Sequence, residues 1–394
     1  MGIQKRLKRL RSSKGMNPTA LGREAGLSRM AVSYIEAGRS APSVDTVEKL
    51  AYALDVEPSY LAFGDTPSTT PMNHLIAPGF DPMTLSDDIT ALVNGYGGTL
   101  DQSHLYIDPR GAAQWRALVD SYNGIPSQFV AEAVVKEAAG SSLDVIALGV
   151  GTGHREVQFV KQLADLDSVD LRLFMVDISQ PLLAAASSLA AETLGYLDIP
   201  QVTISGDFNR LPSFMHFFRA ADWSARRRIL CMFGYTFGNF DNEVRFVKNA
   251  LSGFPVGDFL AIEVTLAYAP ADQPPEVMAK DPALSRKRSP EFQRRYDDFL
   301  TGPIQRHARG VSSITVTPHL DLESCPIKGS YAIDMRAAVT VPGAATKQFS
   351  VGFSRRYEPQ ALAECMRQLG WRCIDKWTYG DGWPSMLLLF QKVA

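Results

Sequence analysis

No stretch of this 394-residue chain holds the roughly 18 consecutive apolar residues that cross a bilayer, so a membrane-spanning helix is not expected. The basic N-terminus has no apolar core behind it and gives no sign of a secretion signal. Cysteine is scarce: Cys231, Cys325, Cys365 and Cys373 are the four, and they lack metal-ligand spacing. A zinc site or a disulfide framework is therefore not expected, and reduced thiols in a cytoplasm are. Strong charge of either sign is missing too. The formal net charge is −2, so any attraction for nucleic acid has to be local. What remains, 45% hydrophobic and 21% charged residues, describes a soluble globular protein, and the length calls for two or three domains.

The charge is uneven. Residues 1–64 hold ten Lys/Arg against six Asp/Glu, a local balance of +4 at the front of a chain that is negative overall. Met1–Arg11 is amphipathic, with Ile3, Leu7 and Leu10 on one helical face. Short helices follow. Thr19–Glu24 runs into a turn at Gly26, Ser28 can cap Arg29–Ala37, Gly38 ends that helix, and Ser43 can cap another through Leu54. Helix, glycine turn and a helix opening on Ser-Arg make a helix-turn-helix layout. The stretch from Leu21 to Leu61 resembles the Cro/C1 repressor-type DNA-binding family, and the resemblance covers residues 3–63. The resemblance rests on Ser28-Arg29, on the Ile35-Glu36-x-Gly38-Arg39 exit, and on Pro42-Ser43-x-x-Thr46-x-x-Lys49-Leu50-Ala51. It implies that Arg29–Tyr34 enters the major groove of operator DNA. Ser28, Arg29, Met30, Ser33 and Tyr34 become candidate base or phosphate contacts, Arg39 a phosphate contact, and a homodimer on a palindromic site the expected assembly. Asn17 stands near where the family usually carries Gln. The alternative for this segment is a helical bundle used for dimerisation or docking.

Four prolines between Asp65 and Pro82 mark a linker, read as residues 65–84. Beyond it Leu85–Asn94, Ala112–Ser121 and Gln128–Ala139 look helical. The chain then alternates. Strands are expected at Asp144–Leu148, Leu171–Val176, Gln201–Ser205, Ile229–Phe233 and Phe259–Val264. Helices are expected near Arg155–Leu163, Gln180–Leu194 and Asn242–Leu251. This order predicts an α/β fold, a doubly wound Rossmann-like sheet that binds ligands at its strand C-termini, over residues 85–270. The first strand breaks into Gly149-Val150-Gly151-Thr152-Gly153, a turn that lets a nucleotide approach the backbone and a helix N-terminus. The second ends in Asp177, placed to accept both hydroxyls of a ribose. The third ends in Gly206-Asp207-Phe208, where the carboxylate can bond an adenine amino group and the ring can stack. The fourth runs into Phe233–Phe240, rich in glycine and aromatics.

The segments LGVGTG, FMVDIS, GDFNRLP and MFGYTFGNFDNEVRFVKN, with the tail from Phe349 to Lys392, resemble the histidine-specific Nα-methyltransferase family of ergothioneine biosynthesis. The match covers about residues 115–392, and its most specific pieces are Gly234-x-Thr236-x-Gly238-Asn239-Phe240 and Ser354-x-x-Tyr357-x-Pro359. It implies a class I methyltransferase that uses S-adenosylmethionine. Gly149, Gly151, Gly153 and Arg155 would then meet the cofactor's methionine portion, Asp177 its ribose, and Asp207 and Phe208 its adenine. Gly234, Asn239 and Ser354 would hold a small amine or amino-acid-like substrate. The tail, residues 271–394 with a helix at Pro359–Leu369, would fold back as a substrate-binding lid.

Two positions depart from the family. Ala147 replaces the acidic residue before the glycine turn that supports the cofactor's amino group. Gly352 replaces the glutamate that grips an imidazole, so the expected substrate is not histidine. Tyr268 and Tyr296 are the candidates for the family's amine-binding tyrosine. No His or Lys base stands out, and His154 reads as the start of an exposed helix. Tyr235, Glu263 and Tyr357 are the polar candidates for a catalytic role. The sequence thus supports an N-methylating enzyme fused to a DNA reader, or a transcriptional regulator whose methyltransferase-like domain senses a ligand.

Overall fold

The computed structural model describes the chain except residues 1–2, 41, 57, 59–60, 62–72, 78–83, 96–97, 120–123, 139, 141, 167–169, 219–225, 270–272, 274, 282–283, 285–288 and 381–383. It divides into two compact units, residues 1–71 with 193–198, and residues 72–192 with 199–394.

The first unit is all-helical: α1 (Ile3–Ser13), α2 (Pro18–Glu24), α3 (Arg29–Glu36) and α4 (Val44–Ala53). Each of the last three starts on a side-chain cap. Asn17 Oδ1 accepts from the Ala20 N–H at 2.9 Å, Ser28 Oγ from Ala31 at 3.0 Å, and Ser43 Oγ from Thr46 at 3.3 Å. Each cap satisfies an N–H that the helix itself leaves open. Asn17 is thus the cap of α2. Leu7, Leu21, Val32, Ile35, Leu50, Leu54 and Leu61 form the core, and Ile3 and Leu10 pack against it. A buried-edge ion pair, Arg11 Nε to Glu36 Oε1 at 2.6 Å, ties α1 to α3. A side chain at Gly22 would bring its Cβ within 2.8 Å of the Leu27 carbonyl oxygen, so the α2–turn–α3 approach requires glycine there.

The second unit is built on a sheet with strand order β1-β4-β3-β2-β5-β6-β11-β10. The strands are β1 (Asn73–Ile76), β2 (Leu143–Leu148), β3 (Leu171–Asp177), β4 (Gln201–Ser205), β5 (Arg227–Met232), β6 (Phe259–Thr265), β10 (Trp371–Tyr379) and β11 (Ser385–Lys392). β1 to β6 are mutually parallel, and β11 runs antiparallel between β6 and β10. β2, β5 and β6 are buried almost throughout, which is why they read as unbroken apolar runs. Two features depart from the sequence reading. Asn73–Ile76, inside the span taken as a linker, is an edge strand paired with β4; 65–72 and 78–83 lie outside the described residues. The last two strands, taken as part of a lid, complete the main sheet. Ser385–Lys392 is a buried run that finds its partner in the free edge of β6.

One sheet face carries Ile146, Leu148, Leu230, Met232, Leu260 and Ile262 into a core shared with α11 (Glu243–Ala250) and α13 (Pro359–Gln368). On the other lies α9 (His154–Leu166), whose Phe159 meets Phe233 edge to face at 5.7 Å. α8 (Ser127–Ala138) packs on α9, and α10 (Gln180–Leu194) follows β3. A second, antiparallel sheet of β7 (Ser313–Asp321), β8 (Tyr331–Thr340) and β9 (Lys347–Arg356) packs with α5 (Thr84–Asn94), α6 (Ser103–Ile107), α7 (Pro109–Val119) and α12 (Pro290–His307) around another core.

Candidate functional site

The glycine turn forms at the end of β2. Gly149 has φ +68°, and a Cβ there would stand 2.8 Å from Thr236 Cγ2 and 3.2 Å from the Phe208 ring. The backbone therefore passes close beneath two neighbouring strand ends. At Gly153, φ +79°, a Cβ would meet that of Ala186 at 2.8 Å, so this glycine lets α10 close on the turn. The Gly151 N–H points at Asp177 Oδ2, 2.7 Å away, and the Ser179 N–H at Asp177 Oδ1, 2.8 Å away. Burial outweighs these bonds and pushes the Asp177 carboxyl up to about 6.

At the end of β4, Asp207 Oδ1 accepts from the Asn209 N–H at 2.8 Å and caps the short 3-10 helix Phe208–Ser213. Burial raises the Asp207 pKa as well. The Phe208 ring is braced edge-on by Phe240 at 5.5 Å. At the end of β5, Tyr235 adopts a left-handed backbone, φ +66°, uncommon for a residue with a side chain. Its hydroxyl lies 3.0 Å from Ser385 Oγ, and the Arg155 guanidinium stands 5.6 Å over its ring.

These parts surround one cavity of about 920 Å³. Its lining includes Gly149, Gly151, Gly153, Arg155, Asp177, Asp207, Phe208, Gly234, Tyr235 and Asn239. Thus every candidate cofactor residue faces one space, together with two of the three substrate candidates. Ser354 does not line it; its Oγ accepts from Arg356 Nη1 at 2.8 Å. A Cβ at Gly352 would touch Gln102, Leu105 and Leu300, between 3.5 and 3.7 Å away, so packed side chains occupy the ground beside that glycine.

The catalytic candidates separate. Glu263 is fully buried and accepts from the Gly234 N–H at 2.6 Å, from Arg155 and from Tyr379. With three donors met, it is not part of the cavity lining. Tyr357 is buried against Glu243 and is not part of the lining. Tyr268 is half-exposed with its N–H on the Tyr331 hydroxyl, and Tyr296 stacks on Phe292; neither lines the cavity. Of the three, Tyr235 alone reaches it. His154 begins α9, is exposed, and bonds Thr152.

Sequence reasoning missed the contributions of α6 and α7, from which Tyr106, Trp115 and Arg116 line the cavity, and that of Glu156. The α6 and α7 side chains left no motif to find. Glu156 did leave a signal, because it shares a helical stripe with Val160 and Leu163, where an apolar residue is the norm.

In the first unit Ser28, Arg29, Met30, Tyr34 and Arg39 are exposed, and Ser33 is half-buried. Met30 is 62% exposed and Tyr34 42%, high for large apolar side chains on a short helix. Among the described residues no group of His, Cys, Asp and Glu is arranged to hold a metal ion, and no helix is long and apolar enough to cross a membrane.

Residues 7–61 match the helix-turn-helix family. Over that region the chain is similar to the restriction-modification controller protein C.AhdI from Aeromonas hydrophila, at 39% identity over 15% of this chain and 89% of that one, TM-score 0.15. The α/β unit is similar to the CcbJ methyltransferase from Streptomyces caelestis, at 14% identity over 75% of this chain and all (100%) of that one, TM-score 0.39. It is also similar to an S-adenosylmethionine-dependent methyltransferase from Clostridium acetobutylicum, at 11% identity over 72% and 99%, TM-score 0.40. No curated protein matches the chain in sequence. The molecule is a helix-turn-helix domain, matched over residues 7–61, joined to a Rossmann-like α/β unit. What that unit binds has to be read from its own cavity.

Proposed function

We propose that the α/β unit is an S-adenosylmethionine-dependent methyltransferase acting on a small amine or amino-acid-like substrate other than histidine, and that the helix-turn-helix unit binds operator DNA. The observation that carries the reading is the convergence of the glycine turn, Asp177, and Asp207 with Phe208 on one cavity large enough for a nucleoside and a small co-substrate. The residues present suit this cofactor. The turn accepts a chain laid close on its backbone, Asp177 offers carboxylate oxygens to a pair of hydroxyls, and Phe208 offers an edge-braced face to a flat base.

When bound, S-adenosylmethionine supplies a methyl group already activated by a positively charged sulfur. The work left to the chain is to hold a neutral nucleophile in line and to exclude water. Asn239 lines the cavity beyond β5, together with Gly234 and Tyr235. Trp115 and Tyr106, packed edge to face at 5.4 Å, add aromatic surface to the lining. Removing water there lowers an amine's pKa, which favours its neutral, nucleophilic form.

Calorimetric titration with S-adenosylmethionine and S-adenosylhomocysteine tests the reading. Micromolar binding of both is expected; no binding at millimolar ligand sinks it. For the other unit, duplexes enriched from a random pool should bind, and Arg29→Ala should weaken them by about 1–3 kcal/mol without changing cofactor affinity. A regulator with a sensing domain is the second reading. Its support is that two of the three catalytic candidates, Glu263 and Tyr357, are spent on internal bonds. It requires that cofactor or another cavity ligand shift DNA affinity and that no S-adenosylhomocysteine form with any amine.

A further inference from the structure

Glu156 is the charged member of the buried face of α9, set among Val157, Phe159, Val160 and Leu163. It is 3% exposed, and that small surface faces the cavity. Resting on the cofactor reading above, we propose that Glu156 binds the ammonium group of the cofactor's amino-acid end, reaching from α9 into the place where β2 offers only Ala147.

Register and packing support the placement. Ala147 pairs with Cys231 across β2 and β5. Their neighbours Ile146, Leu148, Leu230 and Met232 all enter the core on one face, so Ala147 and Cys231 point to the other, the α9 face. Glu156 belongs to the buried face of α9, the helix on this side of the sheet, and its charge, after burial, helps push the Cys231 thiol up. A methyl group at 147 leaves room there for a side chain arriving from the helix.

The charges around Glu156 are unbalanced in the anion's disfavour. The groups whose charge acts on it are Arg155 from its own helix, Glu263 from β6, Asp177 from β3 and the Cys231 thiol from β5. Arg155 is itself engaged by Glu263. Burial, with the two carboxylates adding to it, pushes Glu156 up to about 8 even though its own backbone N–H and Arg155 oppose the shift. A cation delivered by a ligand would turn the neutral acid into a carboxylate, with the proton leaving to solvent. The cavity has a matching polarity. Its β4 end offers Phe208 and Asp207 to a base, and Arg155 and Glu156, consecutive on α9, join the same lining: a cation, and a carboxyl that ionises against one, as a zwitterionic amino acid requires.

The test is calorimetry on the full chain, wild type and Glu156→Gln, with S-adenosylhomocysteine and with 5′-methylthioadenosine, which lacks the amino acid. Each titration is run in two buffers of different ionisation enthalpy. Wild type should release a proton on binding S-adenosylhomocysteine below pH 8, and its affinity should rise between pH 6.5 and 8 as the free acid ionises. Glu156→Gln should bind that ligand about 10- to 100-fold more weakly, without the release, and bind 5′-methylthioadenosine as wild type does. Glu156→Asp should restore part of the proton release. Equal S-adenosylhomocysteine affinity and proton release in wild type and Glu156→Gln would overturn the assignment and leave the cofactor reading intact. So would loss of both ligands in the variant, which marks a structural role. A wild type that binds neither ligand overturns the cofactor reading, and this assignment with it.

Discussion

The two ends of the main sheet both carry buried carboxylates, and they satisfy them differently. At the N-terminal end Asp144 takes two nitrogens of Arg172 at 2.7 Å each and Arg226 Nε at 2.6 Å, while Asp258 takes Arg228 Nε at 2.7 Å. Each anion there has a cation from the chain itself, although burial still raises the Asp258 pKa against the pull of Arg228. At the C-terminal end Asp177 is held by backbone N–H groups and Glu156 is crowded by other acids, and both are pushed up, to about 6 and about 8. The first set is finished when the chain has folded. The second retains the capacity to meet a hydroxyl pair or a cation brought from outside. Burial is the same at both ends, so under the proposed function it is the internal counter-charge, not burial, that separates carboxylates completed by the fold from those read as binding ones.

The comparison is broken most severely at Asp144. Asp144→Ala removes the anion that Arg172 and the buried Arg226 share, leaving Arg226 only Asp170 as a carboxylate partner, and a loss of about 3–5 kcal/mol is expected in urea unfolding. The folded protein should bind S-adenosylhomocysteine as before. A loss below about 1 kcal/mol would show that these ion pairs are not what closes that end of the sheet.

Glu263 sharpens the contrast from the other side. It stands at the C-terminal end yet has a cation, Arg155, together with the Gly234 N–H and the Tyr379 hydroxyl. By partner it belongs with Asp144. Glu263→Gln should therefore cost about 2–4 kcal/mol in the same unfolding assay, and loosen the cavity wall through Arg155 and Gly234. Unchanged stability with a changed pH–rate profile for methyl transfer would return Glu263 to the reacting groups.

Much of this was legible beforehand, for a physical reason. Strand and helix positions from Leu143 to Thr265 are written in apolar runs and helical stripes, and glycines mark where the backbone has to come close. The tail was harder to read. Ser385–Lys392 is as apolar as any central strand, but nothing in its own residues says that it pairs antiparallel to β6 rather than covering the site. The same holds for side chains such as Ser354 and Tyr357, which lie within three positions of each other in a recognisable motif. One is taken by Arg356 and the other by Glu243, partners that only the fold brings near. Trp115 and Tyr106 reach the cavity from helices that precede every sheet-core motif, so spacing could not announce them.

The smallest expected effect is also the most specific to the binding end, and it is a dependence on pH. An unfolded chain releases the Asp177 proton near pH 3.9, whereas the folded chain keeps it until about 6. Between those values the folded state holds more protons than the unfolded one, so this group's contribution to stability falls as pH rises through the window. It is level below about 4 and level again above about 6. The whole span is worth on the order of 3 kcal/mol, and less if the turn opens to water. Asp177→Asn removes the titration and keeps the size. It also sets one amide N–H against the Gly151 or Ser179 N–H, a cost that does not vary with pH. Plotted as variant minus wild type, stability should rise from pH 4 to 6 and then flatten. A flat line for Asp177→Asn would mean that its carboxylate is as well matched by the chain as Asp144 is, and the distinction between the two ends of the sheet would fail at its central residue.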